Sequence, residues 1–232
     1  MPSPNTSSVN DAPSINRPVG IIGGTHFDAR LGEAFFQQQG VTTVARGISD
    51  TPEEASALQI LSPFKLHRMV VNELNRLKQD HDIHTVCLYC NSLSAAIDPA
   101  AAAEETGLRV ITPLDVYRLG ADRYRRMGLM AANCQSLGGI EKVILTQNEA
   151  AQVIGAAMLE IAVEIEKGTD PREILRSFGL LQLVRFFEAA AVEVLILGCT
   201  HFPYLKASLE GVTAIPLLDP AAEMVWLCQS GE

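Results

Sequence analysis

Short β-branched runs alternate with longer helical patterns along nearly the whole of this 232-residue chain, and that alternation leaves few architectures open. A strand, a helix and a second strand in succession build a parallel sheet with helices on its faces, because the crossover needs a dozen or more residues. Val19 to Ile22 reads as a first strand ending in Gly23-Gly24. Leu66, Val70, Leu74 and Leu77 recur at helical spacing and lead into a strand around Val86 to Tyr89. Further strands are expected at Arg109 to Ile111, Met127 to Met130, Lys142 to Leu145, Val194 to Leu197 and near Ala214 to Leu217. A long helix is expected to carry Ile154, Met158, Ile161 and Ile165 on one face and to stop at Gly168. Others lie around Leu183 and Phe187 and from about Pro220.

In parallel sheets, functional residues gather where strands end and helices begin. Two such places look alike. Val86-Cys87-Leu88-Tyr89-Cys90-Asn91-Ser92 opens an alanine-rich helix. Val194-Leu195-Ile196-Leu197-Gly198-Cys199-Thr200-His201 runs toward Pro203, a residue suited to a first helical turn. Each is a buried strand, a cysteine, small polar residues and a helix, and the two cysteines are 109 positions apart (199 − 90). That spacing, close to half the chain, predicts an α/β fold of two similar lobes, each a short parallel sheet flanked by helices. Equivalent cysteines would then face a shared cleft. No residue-by-residue repeat extends beyond the two turns. The expected division is a disordered tail over 1–17, a first lobe over 18–112 together with 213–232, and a second lobe over 113–212.

A cysteine between a strand and a helix meets unpaired backbone N–H groups. Those groups and the helix dipole favour the thiolate and are expected to lower a thiol pKa from about 8.5. The same N–H groups, with the side chains of Asn91, Ser92 and Thr200, form a cradle for a carboxylate. Two such sites in opposition can invert a stereocentre. One thiolate takes the proton from a carbon beside a carboxylate, and the opposite thiol returns a proton to the other face. Cys87, Cys134 and Cys228 read instead as small core residues. Cys87 and Cys90 share a C-x-x-C spacing, but no second such pair or close histidine pair completes a tetrahedral site. Residues three apart on a strand also face opposite ways, so neither metal nor disulfide chemistry is expected there.

The formal net charge of −9 argues against nucleic acid or an anionic membrane as the main partner. A small anionic substrate held by a few local groups stays compatible with it. No apolar run approaches the roughly 20 residues that span a bilayer. Met1 to Pro18 is rich in Pro, Ser and Asn and lacks the apolar segment of a signal peptide. Five scattered cysteines, an odd number, read as free thiols of a reducing cytoplasm.

At its two cysteine turns the chain resembles the aspartate/glutamate racemase superfamily, and the resemblance runs from Val19 to the C-terminus. Cys90-Asn91-Ser92 is similar to the family's Cys-Asn-Thr/Ser turn. Gly198-Cys199-Thr200-His201-Phe202-Pro203 is similar to the second-cysteine turn of glutamate racemases, and Leu218-Asp219-Pro220-Ala221 to the family's last strand and helix. The resemblance implies racemisation of a small acidic amino acid by two cysteines, with no metal and no organic cofactor. Both cysteines are present, unlike in the single-cysteine decarboxylase relatives. Gly23-Gly24-Thr25-His26 stands where glutamate racemases usually carry Asp-Ser and is more similar to aspartate racemases. His201 stands where aspartate racemases often carry Glu. Because the first loop borders the substrate, the resemblance implies aspartate ahead of glutamate.

The implied roles follow. Cys90 and Cys199 alternate as base and acid, and Asn91, Ser92, Thr200 and the backbone of Gly24 hold the α-carboxylate. His201 tunes Cys199 or holds substrate, while Thr25 and Asn133 line the site. Some aspartate racemases hold the side-chain carboxylate with an arginine in the first lobe and a lysine in the second. Arg46 can supply the first, but no Lys or Arg occurs from Val143 to Glu166. Two other readings stay open: another racemase or isomerase of the same architecture, and a non-catalytic binding protein for an acidic amino acid. A homodimer is compatible with either.

Overall fold

The computed structural model describes residues 17–230, so all but Arg17 of the tail expected over 1–17 lies outside the described residues. The first lobe runs β1 (Val19–Thr25), α1 (His26–Gln38), β2 (Thr43–Ser49), α2 (Pro52–Leu61), α3 (Pro63–His81), β3 (Thr85–Tyr89), α4 (Asn91–Ala96), α5 (Pro99–Thr106) and β4 (Arg109–Ile111). A connecting helix, α6 (Pro113–Gly120), leads to the second lobe. There follow β5 (Arg126–Ala131), α7 (Cys134–Gln147), β6 (Gln152–Ala157), α8 (Leu159–Glu166), α9 (Pro171–Ser177), α10 (Leu180–Ala189) and β7 (Val194–Gly198). A 3-10 turn (Phe202–Leu205), α11 (Lys206–Glu210), β8 (Leu217–Leu218) and α12 (Ala221–Gln229) complete the chain.

The two sheets have the same plan. The first is ordered β2-β1-β3-β4 and the second β6-β5-β7-β8, and every pairing is parallel. In each, the chain goes to one side of the first strand and then crosses to the other. The crevice past the carboxyl ends of the two middle strands is the topological switch point, where open α/β sheets hold ligands. Cys90 follows β3 and Cys199 follows β7, so the two cysteines occupy corresponding places in the two sheets.

The central strands β1 and β7 are buried along their whole length, the pattern of strands covered on both faces. Leu66, Val70, Val71, Leu74 and Leu77 of α3 form the stripe that packs on the first sheet. On the opposite face, Met224, Val225 and Cys228 of α12 pack with Ile21, Phe36, Cys87 and Tyr89. Cys87 and Cys90 thus belong to opposite sides of the sheet.

Three expectations differ from what is found. Lys142 to Leu145 is not a strand but part of α7, which buries Ile140 and Ile144 four residues apart. Four residues cannot separate a period of two from one of 3.6. Ile154 and Met158 do not join Ile161 and Ile165 on one helix. Ile154 sits opposite Gly128 in the pairing of β5 with β6, and the helix begins only at Leu159. Last, 213–232 divides between the lobes: Leu217 and Leu218 pair with β7 in the second sheet, while α12 crosses to the first. Among the described residues, no helix is long and apolar enough to cross a membrane.

Candidate active site

The carboxyl ends of both sheets converge on one cavity, with about 30 Å³ of open space, between Cys90 and Cys199. Gly24 closes one wall at the end of β1, and its missing side chain matters. A Cβ there would stand 2.8 Å from the sulfur of Cys90. Its backbone is already used, since the N–H donates to Asp28 Oδ2 (3.1 Å) and the carbonyl accepts from Ser49 Oγ (2.6 Å). Gly24 therefore makes room for the thiol, and both its backbone groups, expected to serve a carboxylate, have partners within the protein.

Cys90 caps α4, with its sulfur 3.4 Å from Ser92 Oγ. Its thiol pKa is pushed up to about 12, first by burial and next by the negative Asp28, against the hydrogen bonds of Ser92 and Leu93. The expected lowering at a helix N-terminus does not occur. Helix α4 has only six residues, and desolvation of a sulfur so deeply buried outweighs its dipole. Cys199 has a different neighbour. Its sulfur is 3.5 Å from Nδ1 of His201, and the chain continues into the 3-10 turn, not an α-helix.

His201 is the junction of the site. Its Nε2 lies 2.8 Å from Glu166 Oε1, its Nδ1 lies 3.9 Å from Asp28 Oδ1, and its ring stacks on Phe27 at 6.1 Å. Burial disfavours the charged ring, but Asp28, Cys199 and Glu166 outweigh it and lift the pKa well above the usual imidazole range. With both nitrogens protonated, Nε2–H donates to Glu166 and Nδ1–H faces the Cys199 sulfur. Burial raises the Glu166 pKa, yet hydrogen bonds from His201 and Thr25 prevail and leave it lowered.

Thr25 is at the site, but its hydroxyl is committed. It accepts from the N–H of Asp28 as the cap of α1 and donates to Glu166 at 2.6 Å, joining the two lobes. Asp28 itself was not singled out from the sequence. It sits three residues after Thr25, a spacing that reads as an ordinary capping pair. Buried almost completely, its Oδ1 has no hydrogen-bond partner among the described residues, and burial raises its pKa against the charge of His201.

Asn91 Oδ1 accepts from the hydroxyl of Tyr117 on α6 at 2.7 Å, and its Nδ2 is a second buried atom without a partner among the described residues. Ser92 and Thr200 also line the cavity. Asn133 caps α7 and donates from Nδ2 to Gln59 Oε1 (2.8 Å) and Ser56 Oγ (3.1 Å). Ser56, Gln59 and Glu166 had no local signal, because each is one polar residue on a helix face brought in by folding. Arg46 is not at the cavity. It lies mid-strand in β2, and its guanidinium points to α3, 3.9 Å from Glu73 and 3.7 Å from Asp80. His26 sits exposed with Nε2 3.7 Å from Asp50. Among the described residues, no group of three or more His, Cys, Asp or Glu could hold a metal ion.

No family model matches the chain. A glutamate racemase of Limosilactobacillus fermentum is 29% identical over 158 residues, covering 65% of this chain and 58% of its own. One from Latilactobacillus sakei subsp. sakei is 25% identical over 157 residues, covering 64% and 56%. The chain thus spans less than two thirds of the length of the curated relatives it matches. Among solved structures, the glutamate racemase of Francisella tularensis subsp. tularensis, in complex with D-glutamate, superposes with a TM-score of 0.73 at 18% identity, over 93% of this chain and 80% of that one. An aspartate racemase homologue from Pyrococcus horikoshii superposes at 0.66 and 14% identity, over 92% of this chain and 100% of that one. The architecture is the two-lobed fold of these racemase structures.

Proposed function

We propose that this chain is a cofactor-independent amino-acid racemase in which Cys90 and Cys199 exchange protons with the two faces of one α-carbon. The observation that carries this reading is a pair of buried atoms at the cavity between the thiols that have no hydrogen-bond partner among the described residues. Asp28 Oδ1 is an acceptor and Asn91 Nδ2 a donor. An α-amino acid zwitterion supplies the complements, an ammonium for the first and a carboxylate for the second. An unsatisfied buried polar group costs about 1–3 kcal/mol, and the substrate would remove both deficits on binding.

The reaction needs one thiolate and one thiol. In one direction Cys199, 3.5 Å from His201 Nδ1, is the base that removes the α-proton. Cys90, whose pKa is about 12, starts neutral and delivers a proton to the opposite face. Charge builds on the substrate carboxylate as the α-carbon loses its proton, and the Asn91 amide and Thr200 stabilise it there. The product leaves Cys90 as the thiolate and Cys199 as the thiol, which is the starting state for the reverse reaction.

Glutamate is the first substrate to test, because the curated relatives carry the name glutamate racemase. Those names do not support the order implied by the first loop, which put aspartate ahead. Aspartate stays the second reading, favoured by the Gly23-Gly24 turn and the small cavity. Incubation of each L-acid in deuterated water with reduced protein is the test. Racemisation incorporates α-deuterium and yields the D-form. Bound but unchanged acids would identify a binding protein instead and refute the enzyme.

A further inference from the structure

One face of α2 closes an end of the cavity, where Pro52, Ala55, Ser56 and Gln59 recur at helical spacing. Every polar atom offered there is uncharged. Asn133 Nδ2 donates to both Gln59 Oε1 and Ser56 Oγ, and Gln59 Nε2 donates to Ser92 Oγ at 2.8 Å. Among the described residues no lysine or arginine lines the cavity, and Arg46 is turned toward α3. The ionisable groups that do line it are Asp28, in the first turn of α1, and His201 and the two thiols, which follow strand ends.

Resting on the racemase reading, we infer that Gln59, with Asn133 and Ser56, reads the substrate side chain as a neutral hydrogen-bonding group. The substrate class is then the acidic amino acids together with their side-chain amides. A guanidinium or ammonium would separate an acid from its amide sharply, because a charge-assisted bond is about twice as strong as a neutral one. A primary amide carries no net charge, so the separation it makes is smaller. Gln59 presents a carbonyl and an NH2 on one rotatable group, so it donates to a carboxylate and both donates to and accepts from an amide.

Affinities and racemisation rates of glutamate against glutamine, and of aspartate against asparagine, test the inference. In the wild-type protein, each amide is expected within about thirtyfold of its acid, in Kd by calorimetry and in kcat/KM where turnover occurs. Gln59→Glu sets a carboxylate against the side chain. It should raise Kd and KM for the acids at least tenfold more than it raises them for the amides. An acid preferred over its amide by more than thirtyfold in the wild type overturns the inference, and so does a Gln59→Glu variant that weakens acid and amide alike. The wild-type comparison stands even if the variant does not fold. Binding without any α-deuterium exchange would refute the racemase and still let the affinities decide the role of Gln59; no binding of any of the four refutes both.

Discussion

Gly24→Ala isolates the geometry of one thiol. The added methyl would stand 2.8 Å from the Cys90 sulfur, against ordinary non-bonded contacts of about 3.5–4.0 Å. The sulfur must retreat by about 1 Å, because Gly24 is fixed on both sides by Asp28 and Ser49. Gly24 is not among the positive-φ glycines, so no backbone strain confuses the result. Overpacking of this kind costs about 1–3 kcal/mol of stability. The effect on chemistry should be larger, since a 1 Å misplacement can cost about a hundredfold in rate. Racemisation measured by circular dichroism or a coupled assay should therefore show kcat reduced about a hundredfold, with the melting temperature only modestly lower. Gly138→Ala is the control, on an exposed helical position with open space around it, and should leave kcat unchanged. A Gly24→Ala protein with wild-type kcat would refute the close approach of thiol and turn, and with it the placement of Cys90 in the reaction.

Cys90→Ser and Cys199→Ser should each lower racemisation by at least ~10²–10⁴-fold, with folding intact by circular dichroism, and full activity in either would remove the two-thiol mechanism. Arg46→Ala should leave KM within about twofold and change stability by no more than ~1 kcal/mol, because its contacts to Glu73 and to the exposed Asp80 on α3 are long, at 3.9 and 3.7 Å; a KM rise of tenfold would return it to the substrate. Thermal stability should depend on pH through His201 and Glu166. The raised His201 pKa contributes stability that is complete below about pH 6.5 and lost as pH rises through the folded value. The lowered Glu166 pKa contributes stability present above about pH 4.3 and lost as pH falls through the folded value. Melting temperature should thus peak between these limits, and Glu166→Gln should flatten the alkaline decline; an unaltered decline in that variant would separate it from the His201–Glu166 pair.

What could be read from the chain alone followed from residues whose meaning is local. Val19, Val86 and Val194 open apolar runs that can only be strands buried on both faces, and the two cysteines follow such strands directly. Their equivalence needed no more than spacing, and the common strand order of the two sheets agrees with it. The errors have physical causes. Lys142 to Leu145 is too short to show its period, and Ile154 happens to stand four residues before Met158 although Gly155 between them sits in a strand. The groups missed at the cavity have no local mark. Asp28 hides as a capping residue, while Ser56, Gln59 and Glu166 come from helices whose inward faces are known only once the lobes meet. Arg46 failed differently: β2 continues to Ser49, so residue 46 lies short of the strand end where the cleft begins.

The hydrogen bond from Tyr117 to Asn91 fixes which end of that amide faces the cavity. A primary amide has two nearly isosteric ends, and an unrestrained Asn91 would offer its oxygen to the cavity as readily as its nitrogen. The Tyr117 hydroxyl takes the oxygen and leaves the nitrogen facing inward. Tyr117 lies on α6, the segment that connects one sheet to the other. The end of Asn91 that faces the cavity is therefore set by the connector and not by the lobe that carries it.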